Sequence, residues 1–437
     1  MQILIKKIEN QMQFNKLALS YVLHNKNVFN MKKRVLKSIL LYGIIPIALI
    51  ICFGCFRKTR DKISNELELD IKRNITIPVV DISGVVIPGD LKRHVIISSG
   101  AEEEDWQHPH TLLMPDGKTM FAVWTHDHGG KAGPLKRSDD GGLTWSDLLD
   151  VPENWASVRD CPTIHRLVDQ KGIARLFVFT GVDTLQQSIS EDGGKTWSSM
   201  KPNGWIGIVA PHNVLPVEDG NKHLAWFHSR SGFIQQSASS DGGLTWEKQI
   251  QPLDQSDFTD ARLVEPSVIR SPDEKQMLML IRESNRCYNS LFSISDDEGE
   301  TWSKPHELPA ALTGDRHAPI YAPDGRLVIA MREIRPMPEG VYTSKSERNG
   351  KIVSVYTGHP VAWVGRYEDI LENREGEYII KLFHQHQGSF GYQQMERLPD
   401  ETLIVTTYLR YRPGEKHSIV STRFKLDELD KRLRCTY

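Results

Sequence analysis

Short apolar runs bounded by turn residues recur along this chain from about residue 95 to 430. The clearest are Thr119 to Trp124, Arg175 to Thr180, His223 to His228, Met277 to Arg282, Arg326 to Met331 and Thr402 to Tyr408. Each spans six or seven residues, too short for an amphipathic helix and suited to a buried antiparallel strand. A turn signal precedes every one: Asp116-Gly117, Asp169 to Gly172, Asp219-Gly220, Pro272-Asp273, Asp324-Gly325 and Pro399-Asp400. Asp-Gly and Pro-Asp pairs favour the tight turns that join hairpin strands, so six turns predict six hairpins, each with a further strand before its turn.

A second periodicity agrees with the first. The motif Ser-x-Asp-x-Gly-x-Thr-Trp occurs at Ser138 to Trp145, Ser190 to Trp197, Ser239 to Trp246 and Ser295 to Trp302. A spacing of about fifty residues accommodates one four-stranded sheet and exceeds a helical-pair or leucine-rich repeat. Asp accepts from nearby backbone N–H groups, Gly permits a left-handed backbone, and Trp fills the gap beside the next sheet. The fold this predicts is all-β, a six-bladed β-propeller over residues 95 to 430. The interval from about Glu333 to His386 is long and predicts an insertion that overhangs the mouth or decorates an edge.

Composition narrows the function. With 54 Lys plus Arg against 56 Asp plus Glu, the chain has no basic excess to hold nucleic acid. Cys52, Cys55, Cys161, Cys287 and Cys435 show neither a disulfide framework nor zinc spacing, and no metal or cofactor is expected. Met31 opens a Met-Lys-Lys-Arg stretch followed by an apolar segment from Ile39 to Phe53 and Gly54-Cys55, the parts of an export signal. The segment resembles a bacterial lipoprotein signal with Cys55 as the lipidated residue. An uncleaved signal anchor is the alternative, because Arg57, Lys58 and Arg60 follow at once. Both readings place the propeller outside the cytoplasm, attached to a membrane. Residues 1–56 are read as extension and signal, and 57–94 as tether and entry segment.

A propeller gathers the first strand of every blade around its axis, so residues at one end of those strands share a funnel. Counted back from the turns, these strands begin near Gln107-His108-Pro109-His110, Arg159-Asp160-Cys161-Pro162, Pro211-His212-Asn213, Glu265-Pro266, Asp315-Arg316-His317 and Gly391-Tyr392. The crowding of ionisable residues there points to a catalytic or carbohydrate-binding centre. His126-Asp127-His128 and His384-Gln385-His386 read as solvated loops, because alternate residues on a loop chelate a metal poorly without a third ligand.

Four such motifs in a six-bladed propeller resemble the sialidase (neuraminidase) superfamily, in which the motif is called the Asp box. The resemblance implies a glycosidase with a Tyr nucleophile, a Glu that takes its proton, an Asp acid/base and three Arg on the sialate carboxylate. Onto this chain it carries Tyr392, Glu265 and Asp127, the last standing eleven residues before Ser138, with Arg282 as one clamp residue. The family's first clamp Arg is replaced by Gln107-His108. The third falls on Arg366, with Arg316 and Arg332 as rivals. Arg159, Asp160, His212 and His317 complete the expected substrate contacts. A carboxylate held by fewer Arg loses charge-assisted contacts worth about 1.5 to 3 kcal/mol each, so the sugar need not be sialic acid. A retaining exo-glycosidase, a lyase acting on uronic-acid polysaccharides and a surface glycan-binding module are the three functions compatible with these residues; all take a glycan.

Overall fold

The computed structural model describes residues 77–84, 93–100, 104–335, 342–348, 351–386 and 389–436. The apolar segment and Cys55 lie outside these residues. Among the described residues no helix is long and apolar enough to cross a membrane.

Hydrogen bonding groups the strands into five sheets. Two early strands, β1 (Val79–Asp81) and β2 (His94–Ser98), are used only by the last two sheets. β3 (Trp106–Leu113), β4 (Met120–His126) and β5 (Ala132–Ser138) form a three-stranded meander. Next come β6 (Thr163–Val168), β7 (Ala174–Ser190), β8 (Lys201–Ile208), β9 (Val214–Val217), β10 (Lys222–His228) and β11 (Ile234–Ser239). They make one six-stranded sheet, yet β8 meets β10 only where Ile208 pairs with His228. β12 (Leu263–Arg270), β13 (Met277–Glu283), β14 (Leu291–Ser295) and β15 (His306–Glu307) form a four-stranded sheet. The fourth sheet holds β16 (Gly314–Tyr321), β17 (Leu327–Arg335), β18 (Tyr342–Arg348), β19 (Lys351–Gly365) and β20 (Tyr378–Lys381), with β1 parallel to β20. In the last, β21 (Gly391–Arg397), β22 (Leu403–Leu409) and β23 (Ser418–Phe424) are joined by β2, so an early strand and the last strand share one sheet. Among the described residues two α-helices complete the fold, α1 (Tyr367–Leu371) and α2 (Leu426–Thr436).

The six expected apolar runs fall on β4, β7, β10, β13, β17 and β22, each the second strand of its hairpin. The first strands contact one another in turn, β3 against β6 and β21, β16 against β12 and β21, which is a propeller arrangement. Between sheets the core is apolar: Phe121, Val123 and Leu135 meet Ile164, Leu176 and Val178, and Val328 and Ala330 meet Val405 and Val420. The long interval from Glu333 onward is the β18–β19 hairpin, α1 and β20. The hairpin extends from the end of β17 that carries Arg332.

The four Ser-x-Asp-x-Gly-x-Thr-Trp segments close on the same bonds. Ser138 Oγ donates to Asp140 at 2.8 Å and accepts from Gly142 N at 2.8 Å, while Thr144 gives its N–H and hydroxyl to the two Asp140 oxygens at 2.9 and 2.6 Å. Asp192, Asp241 and Asp297 repeat the set. These carboxylates are used up by the turn and have nothing left for catalysis. Gly194 has φ of +88°, and a Cβ there would lie 2.5 Å from the Phe121 ring. Gly194→Ala is therefore expected to cost about 2–4 kcal/mol from left-handed strain and overpacking, read as a lower urea midpoint; an unchanged midpoint would show that the loop adapts.

Candidate functional site

Four first strands lose register with their partners at corresponding places: between Gln107 and His110 on β3, Val264 and Ser267 on β12, Asp315 and Ala318 on β16, and Gly391 and Gln394 on β21. At each bulge stands a non-glycine residue with positive φ: His108 (52°), Glu265 (51°), Arg316 (53°) and Tyr392 (53°). Just before β6, Asp160 does the same at 76°. A bulge re-aims a side chain, and left-handed non-glycine backbone costs on the order of 1–3 kcal/mol where the surroundings enforce it. Here the bulges bring together side chains from four sheets.

Tyr392 Oη donates to Glu265 Oε1 at 2.9 Å. Arg282, on β13, reaches both Glu265 oxygens from Nη1 at 3.0 Å, and its Nε lies 2.9 Å from Asp315. Asp315 also receives Arg286 at 2.5 Å and Arg332 Nε at 2.9 Å. Arg332 is held further by the Phe390 carbonyl at 2.8 Å. The Arg316 guanidinium lies 4.9 Å from the centre of the Tyr392 ring, a cation–π distance. Among the described residues no hydrogen bond or ion pair engages that guanidinium, although Arg316 is buried. The His108 ring also packs on Tyr392, its centre 4.2 Å away.

These contacts set the charge states. Burial would raise the Glu265 carboxyl, but Arg282, Arg316 and Arg332 outweigh it and hold it well below the usual carboxylate range. Asp315 is balanced in the same way, burial against Arg282, Arg286 and Arg332, and stands at about 2. Burial, then the neighbouring Cys161 and Glu265, pushes the Tyr392 phenol well above its ordinary value. At neutral pH the site therefore presents a neutral phenol donating to an ionised carboxylate, as a nucleophile that gives up its proton during attack requires.

The other residues singled out from the sequence fall in three places. Asp127 is exposed on the loop after β4, with φ of 56°, and faces an open groove of about 960 Å³ that it lines with Lys131, Leu148 and Arg159. Its carboxylate accepts no hydrogen bond among the described residues, while its neighbour His128 lies 3.1 Å from His108 Nε2. Gln107 is buried at the mouth, 3.3 Å from both His128 and His417. Deeper, the carbonyl of His212 accepts from His110 Nε2 at 2.8 Å, and His317 donates to the Leu312 carbonyl at 2.9 Å; both imidazoles are buried and kept neutral by desolvation.

Arg366 is the correction. It stands beside Gly365, which pairs with Leu327 at the far end of β17, five residues and about 16 Å from Arg332. There it caps α1 through the Asp369 carboxylate. α1 and β20 absorb the sequence distance to Tyr392, and the arginines near the phenol are Arg282, Arg316 and Arg332.

No protein-family model and no curated protein sequence matches the chain. Solved structures do. A protein of unknown function from Dyadobacter fermentans superposes with a TM-score of 0.55 at 15% identity, covering 76% of this chain and 97% of that one. The intramolecular trans-sialidase of Ruminococcus gnavus gives 0.51 at 14% identity, covering 77% and 98%. The NanB sialidase of Streptococcus pneumoniae gives 0.52 at 13% identity, covering 78% and 72%. The fold is thus the propeller seen in sialidases.

Proposed function

We propose that this protein is a retaining glycoside hydrolase built on a six-bladed, sialidase-like propeller with four Asp-box hairpins, working outside the cytoplasm on glycans. Six first strands, β3, β6, β9, β12, β16 and β21, support the blade count, with the second and third blades merged into one sheet by the Ile208–His228 pair. The lipoprotein-type segment ending at Cys55 supports export and membrane attachment.

The observation that carries the catalytic reading is the 2.9 Å bond from Tyr392 to Glu265, buried among three arginines. In the mechanism, Tyr392 Oη attacks the anomeric carbon as its proton passes to Glu265, and Asp127 protonates the departing oxygen. Water, deprotonated by Asp127, then displaces the phenol, which recovers its proton from Glu265. Two displacements give net retention. Arg282 keeps Glu265 ionised and Arg316 stabilises charge growing on the phenol oxygen.

Sialate is a poor fit for the clamp. Arg282 and Arg332 already hold carboxylates of the protein, and Gln107-His108 supplies no third guanidinium. A hydroxyl-rich sugar, or one whose single acidic group meets Arg316, suits the site better.

The test is to screen sialosides, uronic-acid polysaccharides and neutral glycans and follow the first-formed product by NMR. Release of a sugar with retained anomeric configuration is expected; an inverted product, an unsaturated product absorbing in the ultraviolet, or binding without turnover would each overturn the reading. Asp127→Ala should lower cleavage of glycans with alkoxide leaving groups about 10²-fold and of nitrophenyl glycosides less than about tenfold, because good leaving groups need little acid help. Equal losses on both would remove Asp127 from the acid role.

A further inference from the structure

One cluster beside Tyr392 is not used by the mechanism above. Cys161 is buried to 1% exposure, His108 to 2% and Asp160 to 7%. Their donor atoms converge: His108 Nδ1 is 3.3 Å from Cys161 Sγ, Cys161 Sγ is 2.8 Å from Asp160 Oδ1, and Asp160 Oδ1 is 3.8 Å from His108 Nδ1. We propose that His108, Asp160 and Cys161 bind a zinc-class divalent metal ion.

The geometry supports this in three ways. A tetrahedral ion with bonds of about 2.0–2.3 Å separates neighbouring ligand atoms by about 3.3–3.6 Å; two of the three edges lie within a few tenths of an ångström of that range, and the third needs the thiol and carboxylate to part slightly. Such a spread is one that loss of the thiol proton would bring about, since the Cys161–Asp160 contact is now a hydrogen bond. The donor set of thiolate, imidazole and carboxylate suits zinc or cobalt over magnesium or calcium. His108 Nε2 faces His128 Nδ1 at 3.1 Å, so the tautomer that carries its proton on Nε2 has an outward acceptor and leaves Nδ1 free to ligate.

The left-handed backbone at His108, on β3, and at Asp160, just before β6, turns both side chains toward the same point. Three protein ligands are the number carried by zinc sites that keep a position open to solvent or substrate. The proposal does not depend on the hydrolase reading, and its test uses no activity measurement.

The purified full-length protein, stripped with chelator under reducing conditions, is titrated with Co(II). Saturation at about one equivalent with a thiolate-to-cobalt charge-transfer band is expected. Cys161→Ser should abolish the band, and His108→Gln should weaken affinity about 100-fold or more, each with its unfolding curve checked. Should Cys161→Ser not fold, Asp160→Asn, which keeps the thiol, should still weaken Co(II) binding at least tenfold. Absence of saturable binding, an affinity indifferent to these changes, or a band that persists in Cys161→Ser, as the exposed Cys287 or Cys435 could produce, would overturn the site.

Discussion

Tyr392→Phe is expected to lower glycan turnover on the order of 10³-fold or more while leaving product binding and the unfolding midpoint nearly unchanged. The reason is local. Phe fills the same volume against the His108 ring and the Arg316 guanidinium, and Glu265 keeps both of its contacts with Arg282, so neither a cavity nor a stranded charge results. Only the oxygen that would attack the anomeric carbon is lost. The measurement is kcat/KM on the best glycan of the screen, alongside calorimetric binding of the released sugar. Turnover that survives in Tyr392→Phe would assign the nucleophile to another group.

The largest effect on stability is expected at Asp315. Its side chain is almost fully buried and is shared by Arg282, Arg286 and Arg332, so Asp315→Ala leaves three guanidinium groups facing one another with Glu265 as the one remaining counter-charge in contact. Breaking a buried ion pair from one side costs about 3–5 kcal/mol, and a loss of that size in urea denaturation is the expected result. A loss below about 1 kcal/mol would mean that water enters and solvates the arginines. The same residue sets an acid limb. Because folding lowers its carboxyl to about 2, the stability it contributes is complete above the ordinary Asp value near 4 and disappears as pH falls from about 4 to about 2. Asp315→Asn should make stability fall less steeply across that window, the remaining slope coming from the other lowered carboxylates such as Asp116 and Asp140.

Tyr392 and Glu265 could be found from the sequence because turn signals locate the strand starts that hold them, while Arg282, near the end of the strand after Glu265, comes from the Asp-box resemblance. Asp315 lay in the same set of strand starts, but one carboxylate serving three arginines from β13, the loop after it and β17 is a fact of space and has no spacing signature. Arg366 misled for the converse reason: chain distance to Tyr392 was counted through α1 and β20, which carry the chain from one end of the sheet to the other. Cys161 and His108 are 53 residues apart, so no metal-ligand spacing could show them. The bulges left a faint trace, in that Pro109 and Pro266 bar His108 and Glu265 from ordinary helical backbone. No Pro follows Tyr392 or Arg316, where Gln393 and His317 stand instead. The six turns predict six separate sheets, whereas hydrogen bonding among the described strands gives five, because Ile208 pairs with His228 and joins two hairpin sets into one sheet.

The sharing of one sheet by β2 and β23 has a kinetic corollary. Pairings of such long sequence separation form slowly, since the intervening chain must be ordered before they are rewarded. The phenol proposed as the nucleophile sits on β21 in that same sheet, while its carboxylate partner is on β12. During refolding from urea, recovery of catalysis should then lag behind recovery of β-sheet circular dichroism, making enzymatic activity a clock for the moment the circle shuts.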